Sequence, residues 1–88
     1  MTPNPFPINL IIKILRTSVD LNQKEFAQIL GHNFPNYVSQ LELGRRQPST
    51  DDIQKLAEYF DLPLELFAEG AMEIYKYRLM LVRILTAS

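Results

Sequence analysis

The chain has no cysteine and a single histidine, His32, among its 88 residues. Disulfide bonds and thiolate metal sites are therefore excluded, and an intracellular protein fits this composition. The sequence also has no glycine-rich phosphate loop and no clustered carboxylates of a catalytic kind. Asp51 and Asp52 are explained by the first turn of a helix, where the dipole favours acids. We expect no enzyme, metal or other cofactor, and a solvent-facing or capping role for His32.

Long apolar runs and an excess of either charge are also missing. The apolar stretches are too short, and too often broken by charged residues, for a transmembrane helix. The start, MTPNPFPINL, has no basic segment and so does not resemble a signal peptide, which favours a cytoplasmic protein. The net charge of -1 neither requires nor excludes nucleic acid, because only the local placement of positive charge matters.

The first third of the chain predicts a flexible arm and two helices. Residues 1–7 are rich in proline and are assigned to the arm. A stripe of apolar residues at helical spacing begins at Ile8. Asn22 and Glu25 have the spacing of a capping box, which opens a second helix that stops at Gly31.

Three further helices are predicted before the C-terminal segment. Pro35 suits the first turn of the third helix, which ends at Gly44. Ser49 is a typical N-cap for the fourth helix, and Pro63 opens a short fifth helix. No alternating strand pattern competes, so residues 8–68 are predicted to form one all-α domain of five helices.

Residues 69–88 are predicted to form a helix of a different kind, because apolar residues surround it instead of forming one stripe. Such a helix must be covered on most sides, and a twofold-related copy can provide the cover. We therefore predict a dimerisation helix. The alternative is a helix that docks on its own domain and leaves some apolar residues exposed. The predicted dimer interface consists of Met72, Tyr75, Leu79, Val82 and Leu85.

The second and third helices, joined by a tight turn, have the form of a helix-turn-helix unit. In DNA-binding proteins of this form, the second helix of the pair puts its N-terminal residues into the major groove. Here that helix spans about 35–42, and its outward residues are Asn36, Tyr37 and Gln40. Asn and Gln can pair with adenine, and Tyr can donate a hydrogen bond or pack on a thymine methyl group. From spacing alone, polar residues that simply face water are an equally good interpretation.

The sequence resembles the phage Cro/repressor-type helix-turn-helix proteins of the Xre family. The resemblance covers residues 10 to about 67 and is carried by LR, LNQKEFAQILG, VSQLELGRRQPS and LAEYFDLPLELF, in the family's order. It implies a repressor-like fold and a sequence-specific, dimeric transcriptional regulator of phage, plasmid or restriction–modification type. The implied partners are a second copy of the chain and double-stranded DNA with two half-sites, and such a protein would be nucleoid-associated when bound.

The resemblance also implies roles for individual residues. Asn36, Tyr37 and Gln40 fall where the family contacts bases. Arg16 and Glu42 match an ion pair that orients the recognition helix. Phosphate contacts are assigned to Asn22, Gln23, Arg45 and Arg46, and on its charge to Lys24. For Arg45 and Arg46, the alternative is a pair of loop side chains that only face solvent.

The turn before the recognition helix departs from the family pattern. It holds one residue more than is common, most easily placed in the segment HNFP. Pro35 has neither a side-chain donor nor a backbone N–H where family members often make a contact. Phe34 stands near the N-cap, where a small polar residue is usual, so Asn33 is expected to cap instead. If any of the residue roles implied by the resemblance is wrong, we expect the error at residues 33–36.

A second hypothesis from another class is an antitoxin-like protein-binding module. Such a module would hold a partner protein through the apolar C-terminal segment, residues 69–88. The oligomeric state discriminates the two hypotheses, because a stable symmetric dimer leaves no surface for a partner there.

Overall fold

The computed structural model describes residues 8–68 and 70–87, so the arm predicted at residues 1–7 lies outside them. No strand occurs in these two ranges, and the predicted all-α class is confirmed. The fifth element predicted after Pro63 is a 3₁₀ turn, Leu64–Phe67, and a second 3₁₀ turn, Ala71–Glu73, follows it. The α-helices in these two ranges are α1 (Ile8–Ser18), α2 (Gln23–Ile29), α3 (Pro35–Glu42), α4 (Thr50–Phe60) and α5 (Tyr75–Ala87).

Local hydrogen bonds set both ends of α2, as the sequence predicts. The Asn22 side chain accepts from the Glu25 N–H at 2.8 Å, and the Asn22 N–H donates to the Glu25 carboxylate at 2.9 Å. Gly31 has a φ of +82°, and its N–H donates to the Gln28 carbonyl at 3.0 Å. Glycine adopts this left-handed conformation without strain, so the helix stops there and the chain turns towards α3.

The two ends of α3 differ in their capping. Its N-cap is Phe34, not Asn33 as expected, and Phe34 makes no side-chain capping hydrogen bond. Pro35 occupies the first turn, where its missing N–H is not needed. At the other end, Gly44 has a φ of +76°, and the Arg45 N–H donates to the Gln40 carbonyl at 3.0 Å. The residues that follow α3 are therefore folded back against its last turn.

One apolar core holds the helices together. Val38 and Leu41, the predicted inner face of α3, are fully or almost fully buried. Burial of a side chain of this size contributes about 1.5–3 kcal/mol, which fixes the rotation of α3 about its axis. The buried core consists of Ile11, Ile12, Leu15, Phe26, Ala27, Leu30, Val38, Leu41, Leu56, Ala57, Leu66, Phe67, Ala71, Tyr77 and Leu81.

The C-terminal helix α5 has a buried and an exposed apolar face. Tyr77 and Leu81 belong to the core, and α5 packs against α1. One face of the helix therefore docks on its own domain, and the dimerisation helix stays a prediction. The side chain of Met72, also assigned to the dimer interface, is outside the described part of the structure. The other predicted interface residues are all exposed: Tyr75, Leu79, Val82 and Leu85.

Candidate nucleic-acid interface

The outward face of α3 forms one wall of an open hollow of about 320 Å³. Asn36 is exposed and Gln40 is half-buried, and both line this hollow. Because they are four residues apart, their amide groups lie side by side on one face of the helix. Each amide can donate and accept at once, which is the pattern that the major-groove edge of adenine requires. The other lining residues are Phe34, Tyr37 and Arg46.

Tyr37 also lines the hollow, but its hydroxyl group is directed into the protein. The hydroxyl donates a hydrogen bond to the carboxylate of Asp52. Its ring lies against the His32 ring, with the two centroids 3.8 Å apart. The hydroxyl proton, which the sequence suggested as a donor to a base, is thus donated to Asp52. The half-buried ring remains available for contact with a ligand.

Asp52 joins the turn before α3 to the start of α4. Its side chain is buried and accepts from Tyr37, from His32 Nε2 at 3.1 Å and from the Ser49 N–H at 3.0 Å. Burial raises the pKa of Asp52, but these hydrogen bonds outweigh burial and hold the pKa below its usual value. For Tyr37, burial and the bond to Asp52 raise the pKa. An ionised Asp52 therefore anchors the N-terminal half of α3.

Sequence reasoning missed this cluster of His32, Tyr37 and Asp52. It explained Asp52 by the helix dipole and expected His32 to face solvent or to cap a helix. The Ser49 cap was predicted correctly, since its side chain accepts from the Asp52 N–H at 3.1 Å. Asp52 lies twenty residues from His32, and no local pattern links them.

An ion pair anchors the C-terminal end of α3. Arg16 Nε lies 2.5 Å from Glu42 Oε2, and Arg16 Nη2 lies 3.1 Å from Glu42 Oε1. The arrangement is bidentate, which restricts geometry as well as adding attraction. Arg16 also donates to the Leu21 carbonyl at 2.9 Å, and the side chains of Arg16 and Glu42 are only 14% and 6% exposed. This pair, which the sequence assigned to an orienting role, joins α1, the α1–α2 loop and α3.

The sequence that forms α2 and α3 also matches the model of a known protein family. The helix-turn-helix family model of the Cro/Xre type matches residues 12–67, which is more than half of the chain. The chain belongs to this family. No curated protein and no solved structure matches the chain. Family membership shows that the protein is a DNA-binding transcriptional regulator with a helix-turn-helix fold.

In this helix-turn-helix regulator, the residues assigned to phosphate contacts at α2 have different surroundings. Lys24 is exposed, whereas the Asn22 side chain caps the helix. Gln23 donates from Nε2 to Glu42 Oε1 at 3.2 Å, so its amide already belongs to the network around Arg16. A phosphate contact by Gln23 therefore has to use its remaining N–H or its backbone amide.

Of the two arginines that follow α3 in this helix-turn-helix regulator, Arg46 lines the hollow. Arg45 and Arg46 are both exposed. The Arg46 guanidinium lies 5.1 Å from the centre of the Tyr37 ring, within the range of a cation–π contact. Tyr37 therefore links the position of Arg46 to the start of α3 and to Asp52.

No helix within residues 8–68 and 70–87 of this family member is both long enough and apolar enough to cross a bilayer. The same ranges contain no group of three or more histidine or acidic side chains placed to hold a metal ion.

Proposed function

We propose that the protein is a homodimeric, sequence-specific regulator that places α3 in the major groove of a two-half-site operator. The contrast between the two faces of α3 carries this proposal. Val38 and Leu41 are buried, whereas Asn36 and Gln40 line an open hollow on the opposite side. Side-by-side amides match the donor and acceptor pattern of base edges, particularly of adenine.

The anchoring of α3 at both ends supports base recognition. The Arg16–Glu42 pair holds the C-terminal end, and the bond from Tyr37 to Asp52 holds the first turn. Base recognition requires donors and acceptors that are held within a fraction of an ångström of the productive geometry. We assign the base contacts to Asn36 and Gln40, with the Tyr37 ring as a packing surface.

Exposed cations beside α3 supply the phosphate contacts in this proposal. Lys24, Arg45 and Arg46 would position the protein on the backbone, with Asn22 and Gln23 contributing polar groups. If each subunit neutralises two or three phosphates, a dimer neutralises about four to six. The logarithm of the affinity should then fall against the logarithm of salt concentration with a slope of about -4 to -5.

The exposed apolar face of α5 supports the homodimer. Tyr75, Leu79 and Val82 lie on one side of the helix, together with Leu85. A second copy that packs on this face by twofold symmetry would place two recognition helices about one turn of DNA apart. Regulators of phage, plasmid or restriction–modification control type bind DNA in this manner, and we propose that class.

The same face of α5 also fits the second candidate, an antitoxin-like module that holds a different protein. Sedimentation equilibrium of the purified chain separates the two. A stable symmetric dimer that buries Val82 leaves no surface for a partner there. A monomer that aggregates unless it is co-expressed with a neighbouring gene product favours the second candidate.

Selection of bound duplexes from a random pool, followed by footprinting, tests the proposed function. We expect related sequences with two half-sites about 10 base pairs apart, each protected by one subunit. The absence of enrichment would contradict sequence-specific binding. A single protected half-site would contradict the homodimeric arrangement on DNA.

A further inference from the structure

Phe34 supports neither the core nor the helix that it precedes. It is the N-cap of α3 but makes no capping hydrogen bond, whereas α2 and α4 are capped by Asn22 and Ser49. The residue is 72% exposed, which leaves most of an apolar ring in water. Small polar residues stabilise an N-cap better than large apolar ones. The choice of phenylalanine is therefore not explained by the stability of the chain.

The backbone holds Phe34 in one conformation. Its φ of -121° and ψ of 129° are extended, and a following proline restricts a residue to this region. The Phe34 carbonyl also accepts from the Tyr37 N–H at 3.2 Å. Because the backbone is already restricted, a ligand that contacts the ring pays mainly for ordering the side chain.

The hollow beside the Phe34 ring combines apolar and polar groups. Phe34 lines the hollow together with Asn36, Gln40 and Arg46, and with the Tyr37 ring. Two amides and a guanidinium interrupt the apolar surface of the two rings, which therefore does not form one continuous patch for a protein partner. They fit a ligand that presents hydrogen-bonding groups and one small apolar group side by side.

The edges of DNA bases have this combination. Among the groups that base pairs present in the major groove, the 5-methyl group of thymine is the apolar one. We propose that the Phe34 ring packs on a thymine methyl group, beside a base contacted by Asn36 or Gln40. Phe34 is then a specificity-determining residue. This inference rests on the proposed function of α3 as the helix that contacts bases.

The test uses the full chain and the duplex that it selects from a random pool, in anisotropy titrations. Each thymine of one half-site is replaced singly by 2′-deoxyuridine, which removes the methyl group and keeps the base-pairing edge. Burial of one methyl group is worth about 0.8 kcal/mol. At one position, the replacement should therefore weaken wild-type binding by about 4-fold.

Two variants separate recognition from folding. Phe34→Ser supplies a capping hydroxyl, so its midpoint of thermal unfolding should rise while its preference for thymine over deoxyuridine disappears. Tyr59→Ala is the matched control, because it removes another exposed aromatic side chain, on α4 and outside the hollow. This control should keep the preference of about 4-fold.

The outcomes distinguish this inference from the proposed function. If deoxyuridine is tolerated at every position, or weakens Phe34→Ser as much as the wild type, the inference is overturned and DNA binding stands. A changed dimer dissociation constant in Phe34→Ser, with the methyl preference retained, would place the ring between protein copies and also overturn it. Failure to enrich any duplex would overturn the proposed function and this inference together.

Discussion

The helices α3 and α5 each pack one apolar face on the core, but their outward faces have opposite chemistry. The outward face of α3 carries the amides of Asn36 and Gln40. The outward face of α5 carries Tyr75 and Val82, which are 72% and 51% exposed. An exposed apolar stripe favours a protein contact, whereas paired amides favour base edges. Within one small domain, the outward faces therefore suggest two kinds of partner.

The two helices also differ in how they are held. Charged and polar contacts anchor α3 at both ends, through Arg16–Glu42 and through Tyr37–Asp52. Buried Tyr77 and Leu81 attach α5 to the domain by apolar packing. Hydrogen-bonded networks impose a specific geometry, which apolar packing imposes less strictly. The helix assigned to sequence recognition is thus the one whose orientation is fixed by directional bonds.

The largest effect is expected from a charge on the exposed face of α5. Val82→Glu places a carboxylate in the proposed dimer interface, and twofold symmetry places a second one there. Desolvation costs several kcal/mol for each unpaired carboxylate, so the dimer should dissociate at micromolar concentration. Sedimentation equilibrium measures this dissociation, and the monomer should keep its thermal stability.

A matched control uses Val19→Glu, which places the same charge on an exposed valine outside α5. This variant should remain as dimeric as the wild type. If Val82→Glu also remains dimeric, the exposed face of α5 is not the dimer interface. The proposed contrast between a DNA-binding α3 and a protein-binding α5 would then be wrong for α5.

The next largest effect is expected from the ion pair that anchors α3. Glu42→Gln leaves the Arg16 charge largely buried without a counter-charge, so the free energy of unfolding should fall by about 3 kcal/mol. Denaturation by urea measures it. Asp51→Asn is the control, because the Asp51–Lys55 pair is exposed and should contribute less than about 1 kcal/mol. Equal losses in the two variants would show that the buried pair does not anchor α3.

A smaller, pH-dependent effect is expected at Asp52. Because its pKa in the folded protein lies below the ordinary 3.8, its stabilisation is present above that pH and is lost as the pH falls through the folded pKa. Asp52→Asn should therefore lower stability by about 1–3 kcal/mol at neutral pH, and less in acid. Its DNA affinity should fall, while dimerisation through α5 is unchanged.

Denaturation curves between neutral pH and pH 3 measure this difference. Asp51→Asn is again the control, since Asp51 is exposed and makes none of the bonds of Asp52. It should show the acid sensitivity of the wild type. An unchanged acid sensitivity in Asp52→Asn would contradict the role of this carboxylate.

Much of the fold could be predicted because its signals are local. The capping box of Asn22 and Glu25, the Ser49 cap and the bounds of α3 follow from neighbouring residues. The link between Asp52 and His32 could not be predicted, because it joins distant segments without a periodic pattern. Sequence periodicity was also unable to decide that α5 packs on its own domain, since both of its faces are apolar.

Base recognition by α3 is tested most directly by removing its two amides. Asn36→Ala and Gln40→Ala are compared with Gln54→Ala, which removes an exposed glutamine from α4. Affinities are measured for the selected duplex and for a scrambled duplex of the same composition. Each α3 variant should lose about 1–3 kcal/mol of preference for the selected duplex, and Gln54→Ala should lose none. Equal losses on both duplexes would contradict recognition of bases by this helix.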